Sequence, residues 1–269
     1  MWLTCRSTFW RNLLTMYRAY PWSFFIGHIL SGVYTILFAY LTYNFLFLGE
    51  LDGNFSNYAG TGDYVSYVAL GGALYAFAVS ILMIVSRSLI TELREGTLES
   101  LLLTPSSRKG YFLGVATQGI MRAGLELIAI VIFGAFFGLN LSHINVTSTI
   151  LILFLALFSF FCQALVLGSI MLYFRDTYIT QNTLFVIMAF VSGVTFPIQY
   201  LPDWLNPLSQ IMPLTFALRA FRRSVIEGQG LTASSNDLVS LLILSLVYLA
   251  IGSWAIKKTE ARVLEKVFD

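Results

Sequence analysis

Six stretches of this chain are apolar over roughly twenty residues or more, enough for a helix to cross a bilayer core about 30 Å thick. They run over about 22–48, 64–89, 110–139, 148–174, 179–197 and 238–256. Inside hydrocarbon every backbone N–H and C=O must find a partner within the chain, so such blocks read as helices. The fold class expected is therefore an all-α membrane protein with six transmembrane helices. Charge usage agrees: 11% of residues are charged, against about 25% in soluble domains. A net charge of +2 gives no basic surface for nucleic acid. Cys5 and Cys162 build no disulfide framework. The first block is too long for the apolar core of a cleaved leader, about 7–15 residues, and is expected to be a retained span.

Lys and Arg set the expected orientation. Under this topology twelve of the sixteen fall on one side, among them Arg6, Arg11, Arg18, Arg94, Arg108, Lys109, Arg175 and Lys257. The loop after the first block carries Glu50, Asp52 and Asp63 and no cation. Both termini are therefore expected to be cytoplasmic, with a tail over 257–269.

Residues 1–21 precede the first span. Trp2, Phe9, Trp10, Leu13, Leu14 and Tyr17 recur at helical spacing with arginines between them, the pattern of an interfacial helix. Residues 198–227 are apolar yet carry Pro202, Pro207 and Pro213, just after Pro197. Proline costs about 3 kcal/mol in a helix interior. Short helices re-entering the membrane are expected there instead of one span.

Between the second and third blocks stands "TELREGTLESLLLTPSSRKG", residues 91–110. Gly96 interrupts a helix, Thr97 is a good N-cap, and Glu99 sits where its charge suits the helix dipole. Leu98, Leu101 and Leu102 form an apolar side, and Pro105 ends the helix. If the helix is nearly continuous over about 92–104, Glu92, Glu95 and Glu99 make one acidic stripe. Such an element suits docking into a cytoplasmic partner.

"LREGTLESLLLTPSSRKGYFLG" resembles the segment after the second span in permeases of type-2 ABC exporters. "YFRD", residues 173–176, and "SGVTFPIQYLPDWLNPLSQIMPLTFALRAFR", residues 192–222, extend the likeness in the family's order and spacing. The resemblance implies a subunit of a bacterial cytoplasmic membrane that pairs with a second permease chain, an identical one in the simplest case. Two ABC ATPase subunits would bind the pair. The helix around Thr97–Thr104 would couple to the ATPase, with Glu92, Glu95 and Glu99 facing it. Arg175 and Asp176 would make a second contact. The proline-rich region, with Pro197, Pro202 and Trp204, would close the outer end. ATP and Mg would sit on the partner, because the chain contains no "GKS" or "GKT" of a phosphate-binding loop. No catalytic residue, metal site or bound cofactor is expected of this chain, and membrane lipids are its other partner. The cargo implied is an amphipathic small molecule, antibiotic or lipid; a lipid-linked polysaccharide or teichoic acid is the alternative.

Some charges stand where they are costly. Arg122 and Glu126 lie four apart inside the third span, so they can pair across one helical turn. They read as a packing ion pair or as part of a pathway, with no second polar cluster evident nearby. Arg219, Arg222 and Arg223 fall on the outer side, where they are expected to anchor headgroups or meet an anion on the departing cargo. Arg223 is expected to pair with Glu227. Two rival readings remain: a secondary transporter or channel using Arg122 and Glu126 without ATP, and a non-transporting sensor or immunity subunit.

Overall fold

The computed structural model describes all residues except 20, 105, 106, 140, 142, 175–177 and 269. The side chains of 16, 19, 21, 23–25, 27–29, 31, 32, 99, 102, 178, 179 and 260–268 also lie outside the description. The chain runs through α1 (Trp2–Ala19), α2 (Pro21–Leu41), α3 (Phe55–Ala59), α4 (Tyr64–Arg94), α5 (Leu98–Leu103) and α6 (Arg108–Phe136). It continues through α7 (Val146–Phe174), α8 (Tyr178–Val191), α9 (Asn206–Ile211), α10 (Pro213–Val225) and α11 (Ser235–Phe268). A π-helical turn over Thr42–Leu46 extends α2, and 3-10 turns at Ile198–Tyr200 and Asp203–Leu205 precede α9.

Local chemistry sets several of these starts. The Asp63 carboxylate accepts the Ser66 N–H at 3.0 Å, and Ser107 Oγ accepts the Gly110 N–H at 3.2 Å. Asn145 Oδ1 accepts the Ser148 N–H at 3.1 Å. Each satisfies a donor that the first turn of α4, α6 or α7 would otherwise orphan. Pro207 and Pro213 occupy first-turn positions of α9 and α10, where a missing N–H does no harm.

Four of the described helical stretches are long and apolar enough to cross a membrane: the one ending in α4, then α6, α7 and the one containing α11. Two shorter apolar ones cover Val33–Leu46 and Thr180–Val191. The fifth block was expected to continue to 197, but α8 stops at Val191. Gly193 there takes a left-handed φ of +78° and Pro197 follows four residues on. Fourteen residues rise only about 21 Å.

α4 is the centre of the bundle. It packs on α7, α6, α2 and α10, and 72% of its most apolar stretch is buried, against 22% for α11. Leu74, Ile81 and Leu82 of α4 meet Ile130 of α6, Phe160 of α7 and Leu214 of α10 in one core. α11 packs along α7 and turns Val239, Ile243, Leu246 and Trp254 outward. The amphipathic α1 crosses the start of α6. A Cβ on Gly110 would stand 2.6 Å from the Met1 carbonyl oxygen, and one on Gly114 would stand 2.5 Å from that of Cys5. Small residues four apart let the two backbones meet.

Two ends are thus distinguishable. α1 and α5 sit at the Arg94 end of α4. α10 and the 3-10 turns sit at its Tyr64 end, where the Tyr200 hydroxyl donates to Asp52 Oδ2 at 2.9 Å.

Candidate functional site

The α5 end is organised by one buried carboxylate. α4 continues through Glu92 to Arg94, and Gly96 then takes φ +71°. Only glycine adopts that conformation without penalty, so the chain turns sharply before α5. This turn defeats the acidic stripe. Glu95 is exposed, but Glu92 is buried, 3% accessible, and points inward. Arg11 of α1 forms an ion pair and short hydrogen bond with Glu92 Oε1. The Tyr111 hydroxyl of α6 donates to the same oxygen at 3.1 Å. Thr97 Oγ1 donates to Glu92 Oε2 at 2.5 Å.

Thr97 holds the N-cap position of α5, but contrary to expectation its side chain makes no cap hydrogen bond; its hydroxyl is spent on Glu92. Four elements, α1, α4, the α5 turn and α6, meet at one anion. Charge-assisted bonds of this kind are the strong ones. Burial by itself would lower the Arg11 pKa, but the bond and charge of Glu92 outweigh it and hold it above its ordinary value. Leu98 is buried in the core and Leu101 packs against it, while Leu103 stands out in the open. The short helix thus has one face on the bundle and one free of it. The side chains of Glu99 and Leu102, and the whole of Pro105, Arg175 and Asp176, lie outside the described residues.

In the middle of the bundle Glu126 is buried and Arg122 half-buried. Arg122 lies within electrostatic reach of Glu126 and also of Arg87 on α4. Arg87 Nε in turn donates to Gln181 Oε1 of α8 at 2.6 Å. A second polar group therefore does lie near the pair, contrary to the sequence reading. It comes from two other spans, which local spacing cannot show. Gln163 Nε2 reaches Met212 Sδ at 3.9 Å, a weak contact.

At the α10 end the three arginines separate. Arg219 and Arg223 converge on Asp237 of α11, at 3.1 and 3.0 Å. The expected pair of Arg223 with Glu227 does not form; Glu227 accepts from Gln229 at 2.6 Å instead. Arg222 is buried, so it is no part of an open anion-binding surface. It donates to the carbonyls of Gly193, Val194 and Tyr67 at 2.8, 2.7 and 3.0 Å. Pro197 is buried, whereas Pro202 is exposed and Trp204 stands 73% exposed. Most of the indole faces away from this chain.

Sequence reasoning missed Arg11, Tyr111, Tyr67 and Asp237. Arg11 and Tyr111 had one readable signal, the glycine pair flanking "YFL" at 111–113, which marks a close crossing at the start of α6. Tyr67 and Asp237 had none.

A family model described as ABC-2 type transporter matches residues 4–226. The comparison with curated proteins gives no match.

Proposed function

The chain belongs to the ABC-2 type transporter family, as the multi-pass membrane permease of an ABC transporter, and we propose that it drives export. The cargo is an amphipathic small molecule, antibiotic or lipid, taken from the cytoplasm or inner leaflet. Membrane domains of this family work with an ABC ATPase subunit. In this reading two such subunits supply ATP and Mg and dock against α5 from the cytoplasm, and a second copy of the permease completes the path.

One observation carries the reading: α5 is set off by a glycine turn, and its root is tied through Glu92 to α1, α4 and α6. An element seated on a partner's surface and tied at its root converts the partner's closure into movement of several spans. The free face, with Glu95, Ser100 and Leu103, meets the ATPase. The buried knot transmits. The coupling works through contacts that differ between nucleotide states, since equal contact in both would shift nothing.

The test is a mild-detergent pull-down of the tagged chain, with partner identification and ATPase assay. A Glu95→Lys/Glu99→Lys variant is expected to lose the ATPase. Glu92→Gln is expected to keep it bound but lower transport per ATP. An intact wild-type preparation that brings down no ATPase, or a lysine variant that retains full coupling, would overturn the reading.

A further inference from the structure

α8 carries polar ties to α4 along its length. It packs on α7, α4 and α9 and leaves Val186 and Phe190 each 62% exposed. Phe185, Met188 and Val191 pack into the core shared with α4, and polar ties to α4 occur at three further levels. Near its start, Arg87 Nε donates to Gln181 Oε1 at 2.6 Å. In its middle, the Tyr75 hydroxyl donates to the Phe185 carbonyl at 3.2 Å. Past its end, the Tyr67 hydroxyl donates to the Gly193 carbonyl at 3.3 Å.

Arg222 of α10 enters at this last level. Its Nη1 reaches Gly193 O at 2.8 Å, and its Nη2 reaches both Val194 O at 2.7 Å and Tyr67 O at 3.0 Å. The guanidinium carbon lies 3.4 Å from the centroid of the Tyr67 ring. The left-handed turn at Gly193 brings two successive carbonyls onto one cation. These carbonyls sit where the helix dipole of α8 is negative, and the ring adds its quadrupole. Gly71 supplies the space: a Cβ there would stand 2.3 Å from Arg222 Nη2 and 2.1 Å from Val194 O.

Among the described residues, the partners of Arg222 are carbonyls and a ring, and its Nε is buried without one. Dipoles offset the desolvation of a charge only while they point at it. A small shift of α8 against α4 therefore breaks several bonds together, so the contact is either fully made or lost.

We propose that three carbonyls and the Tyr67 ring form a guanidinium-binding cage, that the chain fills it with its own Arg222, and that this occupancy latches α8 to α4 and α10. With the latch made, the α10 end is closed; passage of cargo requires α8 to leave the cage. The proposal rests on the exporter reading only in naming that end as the exit.

The test uses the full chain in lipid nanodiscs and in proteoliposomes without an ATPase. In Arg222→Ala, amide hydrogen exchange over residues 192–201 is expected to rise about tenfold or more, as a local opening. Added ethylguanidinium restores it, and ethylammonium, which has the charge without the planar fork, does not. The variant liposomes leak a small trapped dye, and ethylguanidinium seals them. Unchanged exchange in a folded variant overturns the latch, as does raised exchange that ethylguanidinium leaves untouched. Raised exchange in vesicles that stay tight overturns the closure. If Arg222→Ala does not fold, Gly71→Ala keeps the charge but crowds the cage; it is expected to raise the same exchange, and no rise overturns the proposal. A missing ATPase partner would defeat the exporter reading and leave the exchange result standing.

Discussion

Glu92 at the α5 end and Arg222 at the α10 end are both buried charges, and they are held in opposite ways. At the α5 end a carboxylate, Glu92, meets a formal cation and two hydroxyls. Its cation, Arg11, is 51% exposed in its side chain, so water shares in the pair. At the α10 end Arg222 meets carbonyls and an aromatic ring and is almost wholly enclosed. The first arrangement tolerates movement, because an ion pair with one wet partner weakens gradually as it stretches. The second does not, because carbonyl bonds are directional and the guanidinium is enclosed. A flexible joint and a catch are the mechanical consequences.

Arg222→Met is the sharpest way to break the comparison. It leaves the Val194 carbonyl without its Arg222 donor and the Gly193 carbonyl with the Tyr67 hydroxyl alone. A loss of about 2–3 kcal/mol is expected, read as a large fall in melting temperature in detergent. An unchanged melt would mean that the far end is held by something else.

Gly114→Val tests whether the near-end joint depends on the seat of α1. The added side chain meets the Cys5 carbonyl and Thr8, and overpacking of this kind costs about 1–3 kcal/mol. The expected readout is faster proteolysis of residues 1–19 and weaker coupling of ATP use to transport, with the Arg222 cage undisturbed.

Glu92→Gln keeps the shape and removes the charge. With Arg11 half in water, the stability loss is expected to be about 1 kcal/mol or less, while transport per ATP falls several-fold. A melting shift as large as that of Arg222→Met would erase the contrast between joint and catch.

The smallest effects belong to Arg219 and Arg223. Either one alone still neutralises Asp237, so Arg219→Gln and Arg223→Gln should each cost under about 0.5 kcal/mol. The double variant leaves Asp237, 6% accessible, without a counter-ion and should cost about 1 kcal/mol more than the sum. Thermal melts of the four proteins in one double-mutant cycle measure this directly.

Much of the scaffold was legible. The break at Gly96 and the prolines that divide the α9 and α10 region act within a few residues of themselves. Such effects appear in any reading of the chain. The site residues were legible only as candidates. Glu92 looked like its neighbours Glu95 and Glu99 because helical spacing alone was read; packing against α1 and α6 buries Glu92, and the left-handed turn at Gly96 breaks the stripe beyond Glu95. Arg223 and Glu227 had the right spacing for a pair, but the helix ends at Val225 and Asp237 comes nearer from another element. Arg222 was grouped with its two neighbours because positions 219, 222 and 223 share one side of a helix; only packing separates the buried Arg222 from the two that reach Asp237.

By itself, then, the sequence determined that this chain is a bundle of apolar helices, that the chain breaks at Gly96, and that the proline-rich region is not one uninterrupted span. Those outcomes follow from hydrocarbon demanding satisfied backbone groups and from turn chemistry, both of which act locally. Only the tertiary structure decided which charges are buried and by whom they are met. Arg11 and Glu92 are 81 residues apart, and Arg222 and Tyr67 are 155 apart. No periodicity joins such positions; helix packing does, by bringing together faces that each look incomplete in the chain.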